Sequence, residues 1–210
     1  DATPLSERHF AEQAGLGFTG RNTLLINHSL GSWFFLGEII TTLLLPPRAP
    51  DGGGTGRCPR SCTRCIAVCP TGALEGPMRI NASRCISYLT IEHNGVIPQE
   101  LARRMAGWIF GCDLCQEVCP LNIPAQDTAR PGFTRHIAGA MPDIAELLSL
   151  RTHADVASRF AGSPLLRAGR RKLVRNTLIA LQHEADETTV RHHKEQIAAL
   201  CADTDEVVRE

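Results

Sequence analysis

At 210 residues, with 43% apolar and 21% charged side chains, the chain is long enough for one large or two modest globular domains and too ordinary in composition to be disordered or fibrous. Its 22 basic and 22 acidic residues cancel, so any grip on nucleic acid needs a local basic patch. No apolar run reaches the roughly 18 residues of a membrane-spanning helix, and no signal peptide is visible.

The chain opens on Asp1 without Met and enters an ordered-looking segment at once, as a fragment lacking an N-terminal portion would. Residues 5–14 are helix formers behind Pro4 and Ser6, with Gly15 as the stop. Glycines 15, 17 and 20 then allow a tight turn or a close backbone approach. Their spacing matches a dinucleotide fingerprint, but a short strand-like run, Thr23 to Ile26, follows where that motif needs a helix. Residues 31–45 are densely apolar, with Trp33, Phe34, Phe35 and β-branched residues, so a buried core strand is expected. Glu38 within it is either an edge charge or a paired buried carboxylate. Pro46-Pro47 through Gly56 reads as a linker.

Eight of the nine cysteines fall between Cys58 and Cys119. They run Cys58, Cys62, Cys65, Cys69-Pro70, then Cys85 alone, then Cys112, Cys115, Cys119-Pro120. The C-x2-C-x3-C-P pattern occurs twice and suits [4Fe–4S] clusters, in which the cysteine before the proline crosses to the other cluster. On that logic Cys58, Cys62, Cys65 and Cys119 hold one cluster, and Cys69, Cys85, Cys112 and Cys115 hold the second. A disulfide framework would need an oxidising compartment. Zinc would accept four thiolates but has no use for the x3-C-P ending. Cys58 to Cys62 is one residue longer than the ferredoxin spacing, and Pro59 removes an N–H that could bond a sulfide. Short helices are expected after Cys62 and around 83–89, 98–106 and 112–118, with metal bonds rather than an apolar core ordering this region.

From about residue 141 the pattern turns helical, over 142–150, 153–160, 165–182 and 188–201, like stacked helical pairs. Arg167, Arg170, Arg171, Lys172 and Arg175 occur with no acidic residue between Gly162 and His183. Positions 167, 171 and 175 fall on one helical face, which is either a solvated stripe or a phosphate contact. Cys201 reads as a core thiol, and His192 and His193 as surface residues.

Several segments together resemble the epoxyqueuosine reductase family. They are residues 1–8, Ala14-Gly-Leu-Gly-Phe-Thr-Gly-Arg-Asn-Thr-Leu-Leu-Ile26, Gly31-Ser-Trp-Phe-Phe-Leu-Gly-Glu38, Arg84-Cys-Ile-Ser-Tyr-Leu-Thr-Ile-Glu92, the cysteine runs, and the stretch from Gly162 to Asn176. The resemblance implies an α+β chain in three parts. Residues 1–50 would be part of an α/β cobalamin-binding domain, 51–130 a bacterial-ferredoxin-like two-[4Fe–4S] domain, and 131–210 a HEAT-like helical repeat that binds tRNA. It implies an oxidoreductase, expected as a cytoplasmic monomer with no membrane contact. The enzyme reduces epoxyqueuosine to queuosine at the tRNA wobble position, with cobalamin fed through the clusters by an external electron donor. It also implies Asp1 as proton donor, Asn22, Ser32 and Asp113 beside the corrin, and the five basic residues on tRNA. No D-x-H-x-x-G motif supplies a His to cobalt, and Arg21 stands where the family commonly has Lys. The rivals are a plain two-cluster electron-transfer module and a cobalamin-dependent reductive dehalogenase; neither needs the basic helix.

Overall fold

The computed structural model describes residues 5–46, 56–105, 107–125, 128–129, 132, 137–139 and 142–209. In chain order the helices are α1 Glu7–Gln13, α2 Arg64–Val68, α3 Ile86–Ile91, α4 Gln99–Ala102, α5 Leu114–Glu117, α6 Ile144–Ser149, α7 His153–Phe160, α8 Leu165–Glu184, α9 Glu187–His192, α10 Lys194–Leu200 and α11 Glu206–Arg209. The strands are β1 Phe18–Thr19, β2 Leu25–Ile26, β3 Leu74–Gly76 and β4 Arg79–Ile80. The described residues are therefore mainly helical, with two antiparallel hairpins, β1–β2 and β3–β4. Contacts divide the chain into two compact units, Asp1–Asn81 with Asp113–Asp127 and Ala82–Cys112 with Thr128–Glu210.

In the first unit, Gly15 at φ 74° turns the chain out of α1. Gly17 then lets β1 approach β2, since a Cβ there would lie 2.5 Å from the Ile26 carbonyl oxygen. The close approach allowed by this glycine run is thus to the chain's own strand. Phe18, Leu25, Ile26 and Ala11 are buried, and Glu12 accepts from the Thr19 hydroxyl at 2.8 Å. Helices α2 and α5 pack on each other.

The buried strand expected over residues 31–45 does not form. Beyond the Asn27–Gly31 bridge the run has no strand pairing, and Ile39, Ile40 and Leu44 are 93%, 85% and 101% exposed. Apolar periodicity shows what a segment could bury. It does not show whether the same chain supplies a neighbouring strand, and the described residues supply none. Glu38 is exposed, as are residues 37–45 throughout.

The second unit has two cores. Ile86, Leu89, Ile97, Ala102 and Met105 form one, with Trp108, Cys112 and Ile179 packed against it. The region around Cys85 is therefore ordered partly by apolar burial, contrary to the expectation that metal bonds alone would order it. The other core joins Leu147, Leu148, Val156, Phe160, Leu173, Val174, Leu200 and Val208. Side-chain caps set the helix starts: Asp143 accepts from Ala145 N–H, Asp186 from Thr189 N–H, and Thr152 with Asp155 makes a capping box on α7.

Four sequence expectations change in this unit. The helix expected over 188–201 is two, broken at His193, and His193 is buried rather than a surface residue, its Nδ1 bonding Gln196 at 2.9 Å. Cys201 is exposed rather than a core thiol. The single basic stripe is also lost. Gly169, at φ 68° and ψ 176°, kinks α8 between Arg167 and Arg171, and Arg175 turns inward with 4% exposure.

Candidate metal centre

Four thiols of the first unit line one cavity. Cys58 arrives on the turn closed by Cys62 N–H donating to the Pro59 carbonyl. Cys62 precedes α2, Cys65 lies in its first turn, and Cys119 follows α5. All four line the same hollow, with Arg21, Asn22, Ile26 and Leu121 among the other walls. This is the first of the two sets expected from the cysteine spacing. The crossing cysteine, Cys119, comes from the second run because α2 and α5 pack together.

The electrostatics agree. Burial pushes the Cys65 thiol up, and the neighbouring Cys58, Cys62 and Cys119 raise it further. Burial likewise raises Cys119, with Cys58 and Cys62 adding to it. Four thiolates cannot share a hollow without a cation among them, and an iron core removes that repulsion. Arg21 N–H already points at Cys58 Sγ at 3.3 Å, the kind of bond that stabilises a cluster ligand. The loss of an amide at Pro59 is thereby offset by one from the β1–β2 turn, which the sequence spacing alone could not show. Among the described residues no three His, Cys, Asp or Glu side chains gather closely enough to hold a single ion. The donor set and its common hollow fit a cubane with one thiolate on each of its four irons.

The other four cysteines divide between the units. Cys69 and Cys115 belong to the first, Cys85 and Cys112 to the second. Burial would raise Cys69, but bonds from the Thr71 hydroxyl and the Leu74, Ala73 and Thr71 amides outweigh it and hold the thiol below its usual range. Ala73 N–H lies 3.3 Å from Cys69 Sγ. Cys85 caps α3 and Cys112 packs against the core beneath it.

Asn22, Ser32 and Asp113 converge on α5. The Asn22 amide donates to the Cys115 carbonyl at 3.3 Å. Ser32 Oγ bonds Gln116 Oε1 at 2.9 Å, and Gln116 Nε2 donates to Asp113 Oδ1 at 2.6 Å. Asn122 fixes the same place, accepting from Ser32 N–H at 2.6 Å and donating to the Gln116 carbonyl at 2.8 Å. Asn22 is 3% exposed, so its amide is used inside the unit, whereas Ser32 and Asp113 are part-exposed. Asn122 and Gln116 were not singled out from the sequence; being polar residues beside a cysteine run was their only signal. Asp1 lies outside the described residues.

Each of the five basic residues of α8 has a partner in the second unit. Arg167 pairs with Glu92 at 2.7 Å and Arg171 with Asp205 at 2.6 Å, both arginines about half exposed. Arg170 forks onto Asp203 and also donates to the Leu150 carbonyl. Lys172 donates to Asn94 Oδ1 at 3.1 Å; burial first, then Arg175, Arg171 and Arg167, lower its pKa. Arg175 donates to the Leu89, His93 and Gly95 carbonyls and to Asn176 Oδ1. Burial, with Arg171 adding, pushes its pKa down to about 10. Sequence reading missed Asn176, whose amide donates to the Thr90 and Ile109 carbonyls at 2.9 and 2.8 Å.

Residues 57–122 match the model of a 4Fe-4S double cluster binding domain. Along its length the chain is similar to the epoxyqueuosine reductase of Shewanella oneidensis, 42% identical over 212 residues covering 100% of this chain and 52% of that one. It is 45% identical over 183 residues to the Xanthomonas campestris epoxyqueuosine reductase, covering 86% and 50%. Among solved structures it superposes on an epoxyqueuosine reductase bound to a tRNA-Tyr epoxyqueuosine-modified stem loop, with TM-score 0.86, 33% identity and coverage of 100% and 53%. It also superposes on a Bacillus subtilis epoxyqueuosine reductase, with TM-score 0.83, 33% identity and coverage of 98% and 53%. The chain spans about half the length of the curated relatives it matches.

Proposed function

We propose that this chain, which matches the epoxyqueuosine reductases in sequence and fold from end to end, forms the electron-supplying and tRNA-holding half of such an enzyme. The observation that carries the reading is the match along the whole of this chain, about half of each relative, together with four thiols on one hollow. Cys58, Cys62, Cys65 and Cys119 hold one [4Fe–4S] cluster. Cys69, Cys85, Cys112 and Cys115 hold the second, a reading supported by the double-cluster match over residues 57–122.

The reaction is reduction of an epoxide on the tRNA wobble base to an alkene and water, which consumes two electrons and two protons. When bound, cobalamin supplies the cobalt centre that opens the epoxide. Ser32 and Asp113, both bonded to Gln116, would help to hold it, and Asn22, donating to the Cys115 carbonyl, would steady the same stretch. Asp1 delivers a proton to the departing oxygen, the task of a general acid. A solved relative has a catalytic loop identified by its aspartate.

Arg167, Arg171 and Lys172 are the basic side chains that face solvent enough to exchange an acidic partner for tRNA phosphate. Arg170 and Arg175 hold the helical unit that presents them. The protein acts in the cytoplasm, where thiolates stay reduced, and no described helix is long and apolar enough to cross a membrane.

The test is anaerobic purification of the full-length protein with iron, sulfide and cobalt analysis, followed by mass spectrometry of an epoxyqueuosine-bearing stem loop. Both clusters, cobalt and conversion to queuosine are expected. Asp1→Ala should keep the metals and lose conversion, and Arg167→Glu with Arg171→Glu should weaken tRNA binding and flatten its salt dependence. Stoichiometric zinc without acid-labile sulfide would refute the reading.

A further inference from the structure

The segment from Arg21 to Ser32 is tied to the two cysteine runs at three places. Arg21 N–H meets Cys58 Sγ, the Asn22 amide meets the Cys115 carbonyl, and Ser32 meets Asn122. Asn122 ends the single turn Pro120–Asn122, three residues after Cys119, and its N–H donates to the Cys119 carbonyl at 3.0 Å. One residue is therefore bonded through its backbone to a candidate cluster ligand and through its side chain to Ser32.

The fit at Ser32 uses both ends of the Asn122 amide. Oδ1 accepts from Ser32 N–H at 2.6 Å, while Nδ2 donates to Ser32 Oγ at 3.0 Å and to the Gln116 carbonyl at 2.8 Å. Gly31 makes room for it. That residue is buried at φ 66°, and a Cβ there would overlap Asn122 Oδ1 and lie 3.1 Å from its Cα. Asn27 and Gly31 exchange both backbone bonds, at 2.8 and 2.9 Å, so the turn 27–31 closes on itself. Ser32 N–H is the next backbone donor along the chain, and Asn122 takes it. Gln116 bonds only the Ser32 hydroxyl and would leave that backbone unanchored. Ser32 and Asp113 are the part-exposed ends of this network, joined through Gln116. A hydroxyl and a carboxyl in that position suit the amide side chains at the rim of a corrin.

We propose that Asn122 is a positioning residue for cobalamin: it holds the Ser32 turn on the stretch that ends in Cys119, so that corrin and clusters rest on one piece of backbone. The proposal rests on the reading above that Ser32 lies beside the corrin. Asn122 acts through Ser32.

The experiment uses the anaerobic, cluster-loaded full-length protein. Asn122→Ala deletes the amide. Gly31→Ala drives the amide away from Ser32 and leaves the cysteine runs untouched. Hydrogen exchange resolved to single residues follows the amide at position 32, absorbance titration with cob(II)alamin gives its affinity, and electron paramagnetic resonance reports the seated cobalt. In both variants the amide should exchange about tenfold faster, as loss of about one hydrogen bond implies, and cob(II)alamin should bind about tenfold more weakly. The cobalt signal should broaden as the corrin loses its single seat, with iron and sulfide unchanged. Ser32→Ala is the contrast: Asn122 still accepts from the backbone there, so the amide should stay slow although the hydroxyl is gone.

Iron-loaded variants that bind cob(II)alamin as tightly as the wild type would overturn the proposal, even with a faster amide, since Asn122 would then be a local bond only. An amide at position 32 that stays slow in Asn122→Ala overturns it as well. Should Asn122→Ala lose iron, Gly31→Ala decides, and unchanged affinity there overturns the proposal. A wild type that carries both clusters but takes up no cob(II)alamin refutes the reading beneath it and the proposal together, whereas wild-type binding with indifferent variants refutes the proposal alone.

Discussion

Asn176 offers a direct test of how the second unit supports its two cysteines. Its amide nitrogen donates to the carbonyl of Thr90, near the end of the helix that Cys85 begins, and to that of Ile109, three residues before Cys112. Thr90 in turn accepts, through its hydroxyl, from Gly111 N–H at 3.0 Å. The side-chain oxygen of Asn176 receives Arg175 at 3.1 and 2.9 Å. One fully buried amide thus ties both cysteine-bearing segments to α8.

Asn176→Leu keeps the volume and removes every one of these bonds. The Thr90 carbonyl is buried and the Ile109 carbonyl partly so, and stranded carbonyls of this kind cost about 1–3 kcal/mol each. With the exposed member counted at the low end, the expected loss is about 2–4 kcal/mol, a large share of the roughly 5–15 kcal/mol of a typical domain. Asn176→Asp retains the acceptor for Arg175 but not the donors, and should fall between leucine and wild type. Denaturant titration of the full-length protein measures the loss, hydrogen exchange should localise it to residues 85–93 and 107–112, and iron content should drop by about half as one cluster is lost. A leucine variant within about 0.5 kcal/mol of wild type, with unchanged exchange in both segments, would refute the reasoning.

Two further outcomes follow from the same geometry. Cys119→Ser and Cys65→Ser should abolish the same electron paramagnetic resonance signal, since their thiols share a hollow, whereas Cys85→Ser should spare that signal and remove the other; identical spectra for Cys65→Ser and Cys85→Ser would contradict the division. Hydrogen bonding from Arg170 holds the Asp203 carboxyl below its usual range, so the pair stabilises fully above the ordinary carboxylate pKa of about 3.9 and fades as pH falls through the lowered value. Asp203→Asn should cost about 1–3 kcal/mol at neutral pH, a pair just under the surface lying between exposed and deeply buried cases; the gap between variant and wild type should close below about pH 4, and a gap constant from pH 7 to 3 would rule the pair out as its source.

What could be read from the sequence differs by the kind of signal each residue carries. That Cys58, Cys62, Cys65 and Cys119 would share one hollow was legible because the grouping is written in short spacings, and the packing of α2 on α5 then brings the last to the other three. Helix α7 was legible to its ends, because Thr152 and Asp155 make a local capping box. The run from 31 to 45 was misread because burial of a strand is a property of its neighbours, and no local pattern reports them. The basic helix shows the subtler failure. Spacing put Arg167, Arg171 and Arg175 on one face, but that inference assumes an unbroken helix, and Gly169 is free to take the positive φ that breaks it. Nor does composition separate an arginine that seeks phosphate from one that binds carbonyl oxygens. Arg175 does the latter, with Leu89, His93 and Gly95 as neutral acceptors and burial as the cost, because a guanidinium can satisfy several carbonyls of irregular backbone at once. Its charge therefore holds the loop after Cys85, while the half-exposed Arg167 and Arg171 are the ones left facing water.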